Sequence, residues 1–268
     1  MKQYWDILMI FIKSETRSKL QYRGALWADI IFYIFGYGTQ FVLTFLLVDK
    51  FDSIQGWTKY QVMLLYAMTM LTYTLACVFL RGPSDHVPRK IRTGEFDQTL
   101  TKPLNPLLYE ITASFSAYYL VHVLLGIGMV VLCLVLEQVA FTPANLLMLI
   151  LTIMGGTMIQ GGILLLFSSF SFFLIGENPL SYSLFIALRL FAEYPLSIFP
   201  RFLQVSLTLI LPFAFISFFP AQYFLNANDF LSFPSFFQYL SPVVGGIVLF
   251  VSGKVWLWGI KHYQSSGT

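Results

Sequence analysis

Apolar residues gather in six long blocks along this chain, at about Ile30 to Val48, Tyr60 to Leu80, Ile111 to Leu136, Asn145 to Leu174, Phe202 to Phe219 and Pro242 to Ile260. Each comes close to or exceeds the roughly 20 residues that a helix needs to cross about 30 Å of hydrocarbon. The pattern therefore predicts an all-α polytopic membrane protein: one transmembrane domain of six helices joined by short polar intervals. Residues 1–23 pair an apolar block, Trp5 to Ile12, with a basic one, Lys13, Arg17, Lys19 and Arg23. This reads as a helix lying in the headgroup layer of membrane lipid.

The polar intervals differ in kind. Asp49 to Lys59 and Glu137 to Pro143 are short turns, whereas residues 81–106 form the longest polar stretch, with five of the sixteen Lys and Arg residues. Pro83, Pro88, Pro103 and Pro106 are expected to break any long helix there, leaving one short helix over about Val87 to Thr93 and room for a second after Gly94. Residues 181–200 are apolar but carry Arg189, Glu193, Pro195 and Pro200, so they are read as an interfacial helix leading into the fifth span. The alternative is a buried span in which Arg189 and Glu193 pair four residues apart. Residues 220–241 are aromatic and lack Lys and Arg, which suggests a re-entrant helical hairpin in the outer leaflet.

Composition sharpens this picture. The chain of 268 residues is 57% hydrophobic and 11% charged, with a mean hydropathy of +0.73, where a soluble domain carries about 25% charged residues. A net charge of +3 gives no reason to expect a nucleic-acid partner. Thirteen of the sixteen Lys and Arg residues fall on one set of intervals and only Lys50 and Lys59 on the other. The positive-inside rule then puts both termini and the 81–106 loop in the cytoplasm. Cys77 and Cys133 sit in apolar runs and read as small buried hydrophobes.

Little in the chain suggests catalysis. Gly253-Lys254 lacks the upstream glycine and the following Ser or Thr of a phosphate-cradling loop, and neither an HExxH helix nor a GxSxG elbow occurs. No catalytic residue, metal site or cofactor is expected. Polar groups inside spans are candidates for a substrate pathway, and here they are Gln40, His122 and Gln160, with Arg189 and Glu193 beside them. For the first three, a hydrogen bond between helices is the competing explanation. No carboxylate lies near the centre of a predicted span, which disfavours a carrier driven by an ion gradient. In the 81–106 loop, Asp85, Glu95 and Asp97 interleave with Arg89, Lys90 and Arg92. A patch that touched only lipid would gain nothing from the acids, whereas a protein partner pairs with both signs.

The run Arg92-Thr93-Gly94-Glu95-Phe96-Asp97, followed by Leu100, Lys102-Pro103-Leu104 and Pro106, resembles the cytosolic loop of type-2 ABC exporter permeases. Tyr194-Pro195, Phe199-Pro200, Pro212-Phe213-Ala214 and Phe219-Pro220-Ala221 are similar to a multidrug-type branch of that family. The resemblance implies a permease subunit of the plasma membrane, paired with a second permease, more often a different one, and with separate cytoplasmic ATPase subunits. It also implies a coupling helix over about Val87 to Thr93, with Arg89, Lys90, Arg92, Gly94, Glu95 and Asp97 as the ATPase-coupling residues. Its substrates would be drugs, peptides or lipid-like amphiphiles. The functional alternative is a membrane anchor or sensor subunit that signals to a cytoplasmic partner without transport.

Overall fold

The computed structural model describes residues 9–14, 23–50, 53–173, 179–227 and 229–264. Of the segment read as an interfacial helix, residues 9–14 are described and helical, and the rest up to residue 22 lies outside the described residues. The named helices are α1 (Arg23–Asp49), α2 (Lys59–Arg92), α3 (Phe96–Leu100), α4 (Pro106–Ala113), α5 (Tyr118–Leu136), α6 (Pro143–Ser169), α7 (Pro179–Arg189), α8 (Arg201–Val205), α9 (Phe218–Leu225) and α10 (Ser241–Ile260). Short 3-10 turns and one π turn, Ser206–Ile210, connect some of them. The chain is thus an all-α, multi-pass membrane protein. The stretches Ile31–Asp49 of α1 and Pro143–Phe172, and the whole of α2, α5 and α10, are each long and apolar enough to cross a bilayer.

The bundle is built around α2. Its most apolar window is 89% buried inside the protein, against 11% for α1, as expected of a helix that is hydrophobic on every face. A capping box starts it: the Thr58 hydroxyl accepts from the Gln61 amide at 3.4 Å, and the Gln61 side chain accepts from the Thr58 amide at 3.1 Å.

The end of α2 corrects the sequence reading. Pro83 and Pro88 lie inside the helix, which continues to Arg92 without a break and absorbs the short helix expected at Val87 to Thr93. A proline removes one backbone donor and crowds the preceding turn. Membrane helices tolerate this where neighbouring segments pack against the proline-containing turn, and here the Ser116 amide donates to the Val78 carbonyl at 3.0 Å, next to the Phe79 carbonyl that Pro83 leaves without its helical donor. Ser116 belongs to a second departure from expectation. The third span is not continuous from Ile111, because Ser114–Ala117 separates α4 from α5 and packs over Gly82, where a Cβ would collide with the Ser114 side chain.

Beyond α2, Gly94 takes φ +73° and turns the chain back into α3. Pro103 falls in the irregular stretch between α3 and α4, whereas Pro106 opens α4. Asn105 then caps α4, its side-chain oxygen accepting from the Leu107 and Leu108 amides at 3.0 and 3.2 Å, with Pro106 in the first turn.

The closest helix contact joins α6 to α10. A Cβ at Gly155 would run into the Ser241 carbonyl, and one at Gly245 into the Gly155 carbonyl. At Gly162 a Cβ would lie 2.9 Å from Val248 Cγ1 and 3.0 Å from the Leu249 nitrogen. Small residues bring membrane helices close enough for backbone to pack on backbone. Gly155→Val is accordingly expected to cost about 1–3 kcal/mol through overpacking, read as a lower Tm of the detergent-purified protein.

The region between α6 and α10 departs furthest from the sequence reading. Residues 179–193 do not lie across the bundle but run antiparallel to α2 along its flank. The Tyr182 and Tyr73 hydroxyls are 2.8 Å apart, Arg189 stacks 4.7 Å over the Tyr73 ring, and Thr69 donates to the Ala192 carbonyl at 2.9 Å. The next segment, expected as a straight fifth span over Phe202 to Phe219, is bent by 75° between Ile210 and Phe213. Pro212 sits in the bend. Both arms of this V lead back to the same end: the Arg201 guanidinium lies 4.8 Å over the Phe233 ring, and the Tyr223 hydroxyl donates to Asn145 at 3.1 Å. Its apex is deep in the core, with Phe213 beside Phe185. The bend region therefore begins upstream of residues 220–241, which contain most of α9, a left-handed Asn226 and a 3-10 turn over Ser235–Tyr239.

Candidate functional site

The charged tip is assembled from α2, α3, α4 and the ends of α6 and α10. Val87 and Ile91 point inward from α2 into a small core with Phe96, Leu165, Phe172 and Trp256. Phe96 is fully buried, with ring centroids 5.4 Å from Phe172, 6.3 Å from Trp256 and 5.2 Å from Tyr263. An aromatic ring held in this way anchors the loop on two spans at once.

A second fastening is ionic. Lys90 Nζ donates to both oxygens of Glu110, at 2.7 and 2.8 Å, and the Thr99 hydroxyl donates to Glu110 Oε1 at 2.8 Å. Glu110 is completely buried, so α2, α3 and α4 meet on one carboxylate. Lys102 stacks on Tyr109 with its Nζ 3.7 Å from the ring centroid.

These fastenings sort the six residues expected to couple to a partner. Arg89 and Arg92 are exposed on one face of α2 together with Asp85 and His86, and Glu95 is exposed just past the Gly94 turn. Asp97 is partly covered at the start of α3, and Gly94 supplies the turn. Lys90 differs from expectation, because its ammonium faces inward onto Glu110. Neither Phe96 nor Glu110 was singled out from sequence. A lone acid in the apolar run Leu107 to Ala113 was the available signal for Glu110.

The polar residues expected along a substrate path separate in a similar way. A cavity of about 380 Å³ opens beside α1, lined by Phe32, Tyr33, Gly36, Tyr37 and Gln40 on α1, by Tyr66 on α2, and by Arg189, Leu190 and Glu193. Arg189 and Glu193 are ion-paired at 3.1 Å, with side chains 13% and 3% exposed. Pairing lets both enter an apolar interior, since an isolated buried charge is costly. The pairing four residues apart is the one that the sequence left open.

Gln40 lies on the cavity rim. His122 is buried next to it, its ring 4.0 Å from Tyr33, 4.9 Å from Tyr118, 5.4 Å from Tyr119 and 5.5 Å from Tyr37. Gln160 does not line the cavity. Its amide donates to the Thr69 carbonyl at 2.9 Å and to the Thr72 hydroxyl at 2.7 Å, joining α6 to α2. Sequence reasoning missed the tyrosines, which are too frequent in this chain to stand out one by one.

A set of helices long enough to span a bilayer, a charged tip fastened to two of them and a polar-lined cavity beside the central one define a multi-pass membrane protein built for transport. A family model described as ABC-2 family transporter protein matches residues 34–267. The chain belongs to that family and is a membrane component of an ABC transporter, which assembles with ATPase subunits. No curated protein and no solved structure gave a match.

Proposed function

We propose that the chain is the permease subunit of an ATP-driven exporter, forming half of a translocation pathway with a second permease and receiving its driving force from a cytoplasmic ATPase through the tip of α2. The carrying observation is that Arg89, Arg92 and Glu95 are exposed on a tip that is itself fastened by Phe96 and the Lys90–Glu110 pair. Exposed charges of both signs suit a protein partner, and a rigid mount is what force transmission requires. Although Arg201 lies at the opposite end, beside Phe233, the remaining excess of Lys and Arg on the intervals that include this tip supports a cytoplasmic location for it and for both termini.

The cavity beside α1 is the proposed half-site for substrate. Aromatic walls and one buried ion pair suit an amphiphile with an apolar body and a polar group, such as a drug, a peptide or a lipid-like molecule. No ion gradient is invoked, because a partner's ATP supplies the work.

The test is the double variant Arg92→Glu with Glu95→Arg, co-reconstituted with the ATPase in vesicles. Membrane insertion and elution as a single species are expected to be unchanged, while ATP-dependent flux falls at least tenfold. Unaltered flux would overturn the coupling role. If the parent complex hydrolyses ATP but moves no substrate, an anchor or sensor is the better description.

A further inference from the structure

A second cavity lies at the opposite end from the charged tip, and nothing in the proposed transport cycle uses it. It is a cup of about 740 Å³ between the α5–α6 turn and the loop after α9. That volume falls within the roughly 300–1,000 Å³ typical of ligand pockets. Its polar lining is dominated by side-chain amides, those of Gln138, Asn145, Gln222, Asn226 and Gln238, with aromatic faces from Phe230 and Tyr239.

Two of these amides belong to the fold. Gln222 donates to the Asp229 carbonyl and accepts from the Asp229 amide, both at 3.2 Å, and Asn145 accepts from Tyr223 and donates to the Ala140 carbonyl. Gln138, Asn226 and Gln238 also line the cup.

The backbone places two of these residues at helix ends. Gln138 and Asn226 follow the ends of α5 and α9 with φ of +55° and +48°. Both positions close helix ends, the Val139 amide donating to the Leu134 carbonyl at 2.9 Å and the Ala227 amide to the Gln222 carbonyl at 3.1 Å, and glycine is the residue least strained there. Both residues line the same cup.

We infer that this cup is a binding site for a neutral, polyhydroxylated group, a saccharide. A side-chain amide offers donors and an acceptor together, which matches adjacent hydroxyls, and an aromatic face covers the apolar side of a sugar ring. No Lys or Arg occurs among the lining residues, and the acid there, Glu137, already accepts from the Thr58 hydroxyl and the Gln61 side-chain amide, so the site has no counter-charge for a phosphate or carboxylate. The sugar could be carried on a lipid or be free in solution. This inference goes beyond the proposed coupling to an ATPase and does not depend on it.

The test uses the full chain in lipid nanodiscs, with maltoside detergent removed because its headgroup would compete. Chitotriose binding is measured by calorimetry, and capture of monoglucosyl diacylglycerol by co-purification. Saturable chitotriose binding indicates a free saccharide, and retention of the glycolipid alone indicates a lipid-borne one. Either supports the site if Gln138→Gly and Asn226→Gly weaken it at least tenfold while leaving Tm equal or higher, as glycine at a left-handed position should. Absence of binding to both probes, or binding that these glycine variants leave unchanged, would overturn it.

Discussion

Phe96→Ala is expected to cost about 3–5 kcal/mol, the usual consequence of emptying a well-packed aromatic site. The ring is fully buried between Phe172, Trp256 and Tyr263. Because these partners belong to the end of α6, to α10 and to the residues just after it, the loss falls on the joint between the tip and the two spans. The measurement is thermal unfolding of the purified protein alongside limited proteolysis of residues 93–106. A lower Tm with faster cleavage in that segment is the expected pair of results. Wild-type behaviour in both would show that the ring bears no load. Phe96→Leu, which keeps much of the apolar volume, is expected to recover most of the stability.

Glu110→Ala is expected to be nearly as damaging, at about 3 kcal/mol, because it leaves the Lys90 ammonium facing an apolar interior without a partner. The value sits at the lower end of the range for broken buried pairs because the Lys90 side chain keeps 22% exposure and can turn toward water. The double variant Lys90→Met with Glu110→Leu removes both charges and should restore much of the lost stability, since well-packed apolar replacements of a buried pair are often neutral. If the double variant were less stable than Glu110→Ala, the two residues would not be coupled in this way. A double-mutant cycle on Tm or denaturant midpoint measures the coupling directly.

Much of the architecture could be read from the apolar blocks, because a span must be long and uncharged whatever it packs against. The places where that reading failed share a cause. Pro83 and Pro88 read as breaks, but whether a proline ends a helix depends on what packs around that turn, and the Ser116 amide that donates to the Val78 carbonyl beside it lies some 38 residues further along the chain. The pair Arg189 and Glu193 made residues 181–200 look too polar for the bundle. Spacing showed that they were able to pair, but only the surrounding Tyr73, Tyr66 and Tyr37 show that the pair is housed.

The candidate sites were legible to a similar degree. Alternating charge marked the tip, yet it did not distinguish Lys90, which holds the tip together, from Arg89, which is exposed. Gln160 and His122 were visible as polar residues in apolar runs, and their separation into a helix clamp and a tyrosine-lined neighbour of the cavity depends on contacts far apart in sequence.

The unbroken course of α2 sets the reach of the molecule. At about 1.5 Å per residue its 34 residues make a shaft about 51 Å long, whereas the hydrocarbon layer is about 30 Å thick. Some 20 Å of shaft therefore stands clear of the lipid tails, shared between its two ends. A thicker or thinner bilayer can slide along such a shaft without changing the distance from its capped start to its charged end, so membranes of different depth would leave that end at the same stand-off from the core.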